Sequence, residues 1–226
     1  HQCAHCETLY LEPRPSRTDF EVIYPPSYYT TVEAEGSGGA GSLITFAWHR
    51  LEASRARSFQ KLLGAGRRRV LDVGCGDGRL LRTLRKQGGP RWELIGVELG
   101  LREPQLHRAR REGLTLIEGS YEDVDFGPES LDLIVSQQVI EHVIDPLFVL
   151  EKAHSELRPG GHVVLDTPNT DGVDRRILDR LSRGGGSVWG GYHFPRHLTL
   201  FSPKSIEALA RRAGFEVLRV ESLLSP

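Results

Sequence analysis

Val70-Leu71-Asp72-Val73-Gly74-Cys75-Gly76-Asp77-Gly78-Arg79-Leu80-Leu81 is the stretch on which the reading of this chain turns. Four residues able to form a buried strand, Asp72 among them, run into three glycines at alternate positions, and an amphipathic segment follows at once. The pattern predicts strand, tight loop, helix. Glycine suits such a loop because the turn calls for positive φ and because a ligand can lie against backbone that carries no Cβ. The spacing is Gly-x-Gly-x-Gly, and Arg79 stands where a dinucleotide fingerprint would have its third glycine. A β-to-α turn without a ligand fits the same residues, so the flanking chain has to decide.

Upstream, Leu43, Phe46, Ala47, Leu51, Ala53 and Leu62, set among Arg and Glu, predict one long amphipathic helix from Leu43 to Leu63. Downstream, Leu80, Leu81 and Leu84 mark a helix that stops at Gly88-Gly89-Pro90. Trp92 to Glu98 reads as a second strand ending in an acid, followed by an Arg-rich helix to Glu112 and a short strand from Leu114 to Glu118. Leu131 to Ser136 is apolar at its centre, as a parallel strand covered on both faces should be. A helix through Leu147, Val149, Leu150 and Leu157 is expected to end at Pro159-Gly160-Gly161, with Val163-Val164-Leu165 opening a fifth strand. Five alternations predict an α/β fold: a doubly wound, mostly parallel, Rossmann-like sheet whose ligand crevice lies beyond the carboxyl ends of the strands.

Past Pro168 the rhythm breaks. A helix from Val173 to Leu181 is followed by Gly184-Gly185-Gly186 and by Trp189-Gly190-Gly191-Tyr192-His193-Phe194-Pro195-Arg196-His197, too irregular for a regular element and read as part of a lid insertion over about residues 170–200. Ser202-Pro203 is an N-cap with proline at the first helical position; the helix runs to about Ala213, Gly214 ends it, and Phe215 to Val220 is expected as a sixth strand.

At 226 residues and 25.2 kDa the chain suits one large domain, taken as residues 43–226, preceded by an N-terminal extension over 1–42 that includes the glycine-rich, flexible stretch Gly36 to Gly41. No apolar run reaches the roughly 18 residues of a membrane span, and His1-Gln2-Cys3 lacks a signal-peptide pattern, so a cytoplasmic protein with no membrane partner is expected. A net charge of -1 argues against a general nucleic-acid binder. Three cysteines are too few for a disulfide scaffold. Cys3-Ala4-His5-Cys6 supplies two of the four ligands of a structural zinc, with no second pair in the chain, which favours a non-binding remnant over half a knuckle.

On this topology Asp72, the glycine loop, Glu98, Ser120-Tyr121 and Ser136-Gln137-Gln138 all fall at or just after strand ends. A carboxylate ending the second strand is a usual partner for a ribose diol. Val70 to Leu81, Gly96-Val97-Glu98, Leu131 to His142 and Leu157-Arg158-Pro159-Gly160-Gly161 together resemble the successive motifs of class I S-adenosylmethionine-dependent methyltransferases. Ile140-Glu141-His142 is similar to the branch that includes the ubiquinone-pathway O-methyltransferases. The opening Cys-x-x-Cys, Tyr28-Tyr29 and Gly191 to Leu198 resemble a subgroup that often has a zinc-binding N-terminal extension.

The resemblance implies that Asp72 and the Gly74-Cys75-Gly76 backbone hold the methionine part of S-adenosylmethionine and Glu98 the ribose hydroxyls. Leu99, Ser120 and Tyr121 would flank the adenine, and Gln137 would meet the amino acid end through its backbone. Zinc is expected only if an upstream Cys pair completes the first one. Ubiquinone-type relatives place a metal-ligating acid where this chain has Gln138, and an amide there predicts no metal at Gln138, Glu141 and His142. The family's sheet ends with a seventh, antiparallel strand, which a chain stopping at Pro226 is expected to lack.

The reaction implied is in-line displacement at the sulfonium methyl, the cofactor bringing the electrophile and the protein positioning a small-molecule or sugar-like acceptor, with oxygen the favoured atom. Histidine is the natural base near neutral pH, and His142, His193 and His197 are the candidates. The aromatic, His- and Arg-bearing lid suits a polar or anionic acceptor. An NAD(P)-dependent oxidoreductase, disfavoured by Arg79, and a non-catalytic cofactor-binding scaffold are the alternatives.

Overall fold

The computed structural model describes residues 1–25, 42–88, 91–182 and 189–222. Tyr28-Tyr29 and the glycine-rich stretch from Gly36 to Gly41 lie outside the described residues. The chain clusters into two compact units, Tyr24–Ser136 with Ser155–Val164, and His1–Ile23 with Gln137–His154 and Leu165–Pro226.

The first unit is built on the sheet. Its strands are β2 (Arg68–Val73), β3 (Trp92–Glu98) and β4 (Thr115–Glu118), with the bodies of β5 (Leu131–Gln137) and β6 (Leu157–Asp166); β1 (Leu9–Tyr10) belongs to the other unit. The order is β4-β3-β2-β5-β6, and the β2–β3, β2–β5 and β3–β4 pairs are parallel. Chain order therefore reverses between β2 and β5, and the glycine loop follows β2 at that switch point, where α/β sheets bind their ligands. Val70, Leu71, Leu133 and Val135 are fully buried, which explains why these strands read as unbroken apolar runs.

Helices α2 (Ser42–Leu63), α3 (Arg79–Gly88) and α4 (Glu103–Arg111) flank the sheet. Ala56, Phe59 and Leu63 of α2 join Leu80, Leu81 and Leu84 of α3, Ala109 of α4 and Val70, Leu94 and Leu133 of the sheet in one core cluster. Positions 56, 59 and 63 share a helical face. Leu62, read from the sequence as part of the apolar stripe, is 42% exposed, because it lies off that face.

In the second unit β1 (Leu9–Tyr10) pairs antiparallel with β7 (Thr199–Leu200), and the Leu11 amide continues the ladder to the Leu198 carbonyl at 2.8 Å. The unit also carries α1 (Phe20–Ile23), most of α5 (Pro146–Glu156), α6 (Val173–Leu181) and α7 (Pro203–Arg212). Ser202 caps α7, accepting from the Ser205 amide at 3.2 Å while the Ser205 hydroxyl accepts from the Ser202 amide at 2.8 Å, with Pro203 at the first helical position. Gly214, at φ +96, ends the helix as expected.

Two expectations are corrected. Helix α5 ends at Glu156 and β6 begins at Leu157, so Pro159-Gly160-Gly161 lies inside the strand and is not a helix terminator. Phe215 to Val220 forms no strand: the Phe215 amide bonds back to Ala210 at 3.0 Å, and Leu218 is 69% exposed. A strand needs a partner for its ladder of donors and acceptors, and among the described residues none pairs with this segment. No helix among the described residues is long and apolar enough to cross a membrane.

Candidate functional site

Each unit gathers its own cluster of polar groups. In the sheet unit the cluster starts where β2 runs into Gly74, Gly76 and Gly78, whose φ values of +71, +54 and +83 suit residues without a Cβ. The Gly74 and Cys75 amides both donate to the Val97 carbonyl, at 2.9 and 3.2 Å, which hangs the loop from the end of β3. The Gly78 amide donates to the Cys75 carbonyl at 2.9 Å, and α3 starts one residue later.

Glu98, the last residue of β3, ties the loop from the other side. Its Oε2 accepts from the Gly76 amide at 2.9 Å and its Oε1 from the Leu99 amide at 2.8 Å. An ionised carboxylate offers about four acceptor sites, so two remain for hydroxyls of a ligand. Space is available there: a Cβ built on Gly76 would meet nothing within 4 Å. Leu99 is 47% exposed, an apolar surface next to that acid. Asp72 is buried. The open glycine loop and the spare acceptor sites of Glu98 fit a ligand that bears a diol.

Cys75 lies inside the loop with its side chain turned into the core. Burial above all, then the charges of Asp72 and Glu98, push its thiol well above the usual range, so it stays protonated. Its sulfur occupies the place where β3 has Gly96; a Cβ on Gly96 would sit 2.4 Å from it. Ser120 caps the short turn Tyr121–Asp123, its hydroxyl donating to Glu122 Oε2 at 3.0 Å. Tyr121 turns inward: its hydroxyl donates to Glu156 Oε2 at 2.6 Å and its ring stacks on Phe126 at 6.4 Å. Burial and the Glu156 hydrogen bond hold that phenol protonated. The ring is thus packed into the interior.

In the second unit the cluster is built on the turn after β5. Gln137 ends the strand, and Gln138 adopts φ +54. The Gln138 amide donates to the Asp166 carbonyl at 2.7 Å and its side-chain Nε2 to Asp166 Oδ1 at 3.2 Å. Glu141 is fully buried. Its carbonyl accepts from the Leu198 and Thr199 amides at 2.7 and 3.2 Å, and its Oε2 accepts from the Thr167 hydroxyl at 2.8 Å. Among the described residues its Oε1 has no hydrogen-bond partner, and it lies 3.9 Å from His142 Nε2.

Two of the three candidate histidines meet here. His142 Nδ1 bonds to the Arg196 carbonyl at 3.1 Å and His197 Nδ1 to the Gly191 carbonyl at 2.8 Å, so each ring nitrogen facing a carbonyl carries the proton. The rings pack edge to face with centroids 4.6 Å apart. Burial, then the neighbouring His197, holds His142 down to about 4, and burial lowers His197. Burial pushes Glu141 up to about 7. His193 is exposed; its Nε2 accepts from Arg196 Nη1 at 3.0 Å, which leaves its Nδ1 as the protonated nitrogen.

The loop that carries these residues is fastened to α6. Trp189 Nε1 donates to Asp174 Oδ2 at 2.9 Å, and the Arg175 guanidinium lies 5.6 Å over the Tyr192 ring and 6.0 Å over Trp189. The region is irregular, as its composition predicts. Reading the sequence named Glu141 with Gln138 and His142 only as a metal set that it argued against; the burial that leaves one Glu141 oxygen without a partner among the described residues is not visible in the sequence.

A family model described as a methyltransferase domain matches residues 47–220. The ubiquinone biosynthesis O-methyltransferase of Aliivibrio fischeri is 37% identical over 109 residues, 45% of this chain and 44% of that protein. The enzyme of that name from Cupriavidus pinatubonensis is 24% identical over 188 residues, covering 77% of this chain and 71% of that protein. Among solved structures, an S-adenosylmethionine-dependent methyltransferase from Aquifex aeolicus is similar with a TM-score of 0.56 and 18% identity, over 87% of this chain and 91% of that one. The chain spans less than half the length of the first curated relatives it matches, and the likeness to solved structures at this identity establishes the fold.

Proposed function

This chain belongs to the methyltransferase-domain family, and on that premise we propose that it transfers the methyl group of S-adenosylmethionine to an oxygen of a small-molecule or sugar-like acceptor. The observation that carries the reading is the glycine loop after β2 tied by the Gly76 amide to Glu98, the acid at the end of the adjacent strand. One backbone cradle and one carboxylate with spare acceptor sites suit the amino acid end and the ribose of that cofactor. The family match sets the oxidoreductase alternative aside.

The cofactor supplies an electrophilic methyl group; the chain's own residues bind, orient and handle the acceptor's proton. Asp72, the Gly74-Cys75-Gly76 backbone and Gln137 are assigned to the methionine part, Glu98 to the ribose, and Leu99 with the Ser120-Tyr121 backbone to the adenine. Among the histidines, the tautomers leave lone pairs on Nε2 of His142 and His197, while His193 presents a donor. Residues 1–42 are assigned as an extension and about 170–200 as a lid insertion of the domain over 43–226. A cytoplasmic location is supported by three free cysteines. Zinc at Cys3 and Cys6 needs further ligands, and among the described residues no third Cys, His, Asp or Glu gathers with them.

Calorimetry with S-adenosylhomocysteine tests the cofactor assignment. Each hydrogen bond to a charged group contributes about 1.5–3 kcal/mol, so Glu98→Ala should weaken binding roughly 10- to 150-fold while far-UV circular dichroism stays unchanged. Wild-type protein that binds NADH and not S-adenosylhomocysteine would overturn the reading. Mass spectrometry of hydroxyl-bearing acceptors incubated with S-adenosylmethionine then tests transfer to oxygen.

A further inference from the structure

The turn after β5 holds a buried acid with one oxygen that nothing among the described residues satisfies. Glu141 is fully buried, Oε2 is used by Thr167, and Oε1 has no hydrogen-bond partner. A buried carboxylate oxygen left unpaired is costly, and buried polar atoms in folded proteins almost always have a partner. His142 Nε2 stands 3.9 Å away, and one ligand atom from each of Glu141, His142 and His197 can be chosen so that all three lie within 4.8 Å of one another. Both imidazoles are already oriented: Nδ1 of each donates to a backbone carbonyl, Arg196 for one and Gly191 for the other. A carbonyl on Nδ1 fixes a metal-binding histidine in this way, since it selects the tautomer and leaves Nε2 as the ligand atom.

We propose that Glu141, His142 and His197 form a binding site for a divalent cation of the zinc type, in which His197, from the loop 189–197, supplies the third ligand. This departs from the expectation that Gln138 excludes a metal at this turn. The Gln138 side chain is held on Asp166 and plays no part in the cluster. The third ligand comes instead from 55 positions further along the chain.

Two imidazoles and one carboxylate form a donor set that zinc accepts, with a fourth position left open. Bonds of about 2.0–2.1 Å in a tetrahedron put ligand atoms roughly 3.3 Å apart, so the observed spacing closes with small side-chain rotations. The cation also has a consequence for the loop. The carbonyls of Gly191 and Arg196 orient the imidazoles, and His197 binds directly, so the loop that carries the Trp189 to His197 segment is ordered through the same ion. A lone pair held by the cation takes no proton, so with the ion bound His142 and His197 act as ligands and not as bases. The site stands on these contacts alone and does not rest on the transferase reading.

The test is cobalt and zinc binding by the full chain carrying Cys3→Ser and Cys6→Ser, which removes the two thiols that could compete. One equivalent of Co²⁺ is expected to produce visible d–d absorption that Zn²⁺ abolishes. His197→Asn keeps a side-chain N–H for the Gly191 carbonyl but has no Nε2, and affinity should fall by more than the roughly 10- to 100-fold that loss of an outer-shell partner costs. Gln138→Ala should bind as the parent does. If His197→Asn fails to fold by circular dichroism, Glu141→Gln, which keeps an acceptor for Thr167, should show the same loss. No cobalt or zinc binding by the parent, or binding undiminished in the folded His197→Asn or Glu141→Gln protein, overturns the proposal.

Discussion

Gly96→Ala places one methyl group at the centre of β3, and the structure dictates where it goes. The new Cβ would meet Cys75 Sγ at 2.4 Å, Cys75 Cβ at 2.8 Å and Leu116 Cδ2 at 2.8 Å. Leu116 ends in a flexible methyl and can rotate away. Cys75 Cβ is attached to the backbone of the glycine loop, so relief there requires the loop itself to retreat by several tenths of an ångström. Overpacking of this kind costs typically about 1–3 kcal/mol. For a chain of this length each kcal/mol shifts Tm by about 2–4 °C, so the expected drop lies between roughly 2 and 12 °C.

The loop is also tied to Glu98 through the Gly76 amide at 2.9 Å, so the same retreat should weaken S-adenosylhomocysteine binding. Denaturant unfolding of wild type, Gly96→Ala, Cys75→Ala and the double variant forms a thermodynamic cycle. Residues in contact couple by about 0.5–3 kcal/mol, and here Cys75→Ala should relieve part of the Gly96→Ala penalty, because it deletes the nearest atom. Gly96→Ala stability within about 0.5 kcal/mol of wild type, or strictly additive variants, would refute the packing account of the loop.

Three further outcomes follow from the same cluster. Gly76→Ala meets open space, so its cost is the left-handed φ alone, about 1–2 kcal/mol, and the added methyl should intrude on the ligand and lower cofactor affinity in calorimetry. Tyr121→Phe keeps the buried ring but removes the hydroxyl that donates to Glu156 Oε2, which should cost about 1–3 kcal/mol in denaturant unfolding and leave cofactor affinity unchanged. Cys75, whose thiol is raised in the folded state, stabilises the fold below the unfolded thiol value near 9.0 and loses that contribution as pH rises above it. Unfolding midpoints measured at pH 8 and 10 should therefore fall further for wild type than for Cys75→Ala, and iodoacetamide at pH 8 should label Cys3 well before Cys75.

Much of the glycine-loop cluster was legible because it is built from local rules. Glycines at alternate positions after an apolar run specify a strand, a positive-φ turn and a helix start without reference to anything distant, and the acid ending the next strand falls beside that loop once the strands are parallel. The failures share a cause. Leu62 against Leu63, the exact start of β6, and the absence of a strand over Phe215 to Val220 all depend on what covers or pairs with the segment, and periodicity alone carries no record of a partner. The destination of the Tyr121 hydroxyl is likewise a matter of packing: only the folded chain brings it to the buried carboxylate of Glu156.

The amino-acid sequence by itself determined the α/β winding and the strand, glycine loop and helix around which it is built, because short-range backbone preferences and apolar runs decide those features. The tertiary structure alone decided what surrounds Glu141. It turned Gln138 onto Asp166, brought His197 against His142 across 55 positions, and left one carboxylate oxygen buried without a donor. Burial and convergence are properties of the packed chain, and they are what turn three ordinary polar residues into a site.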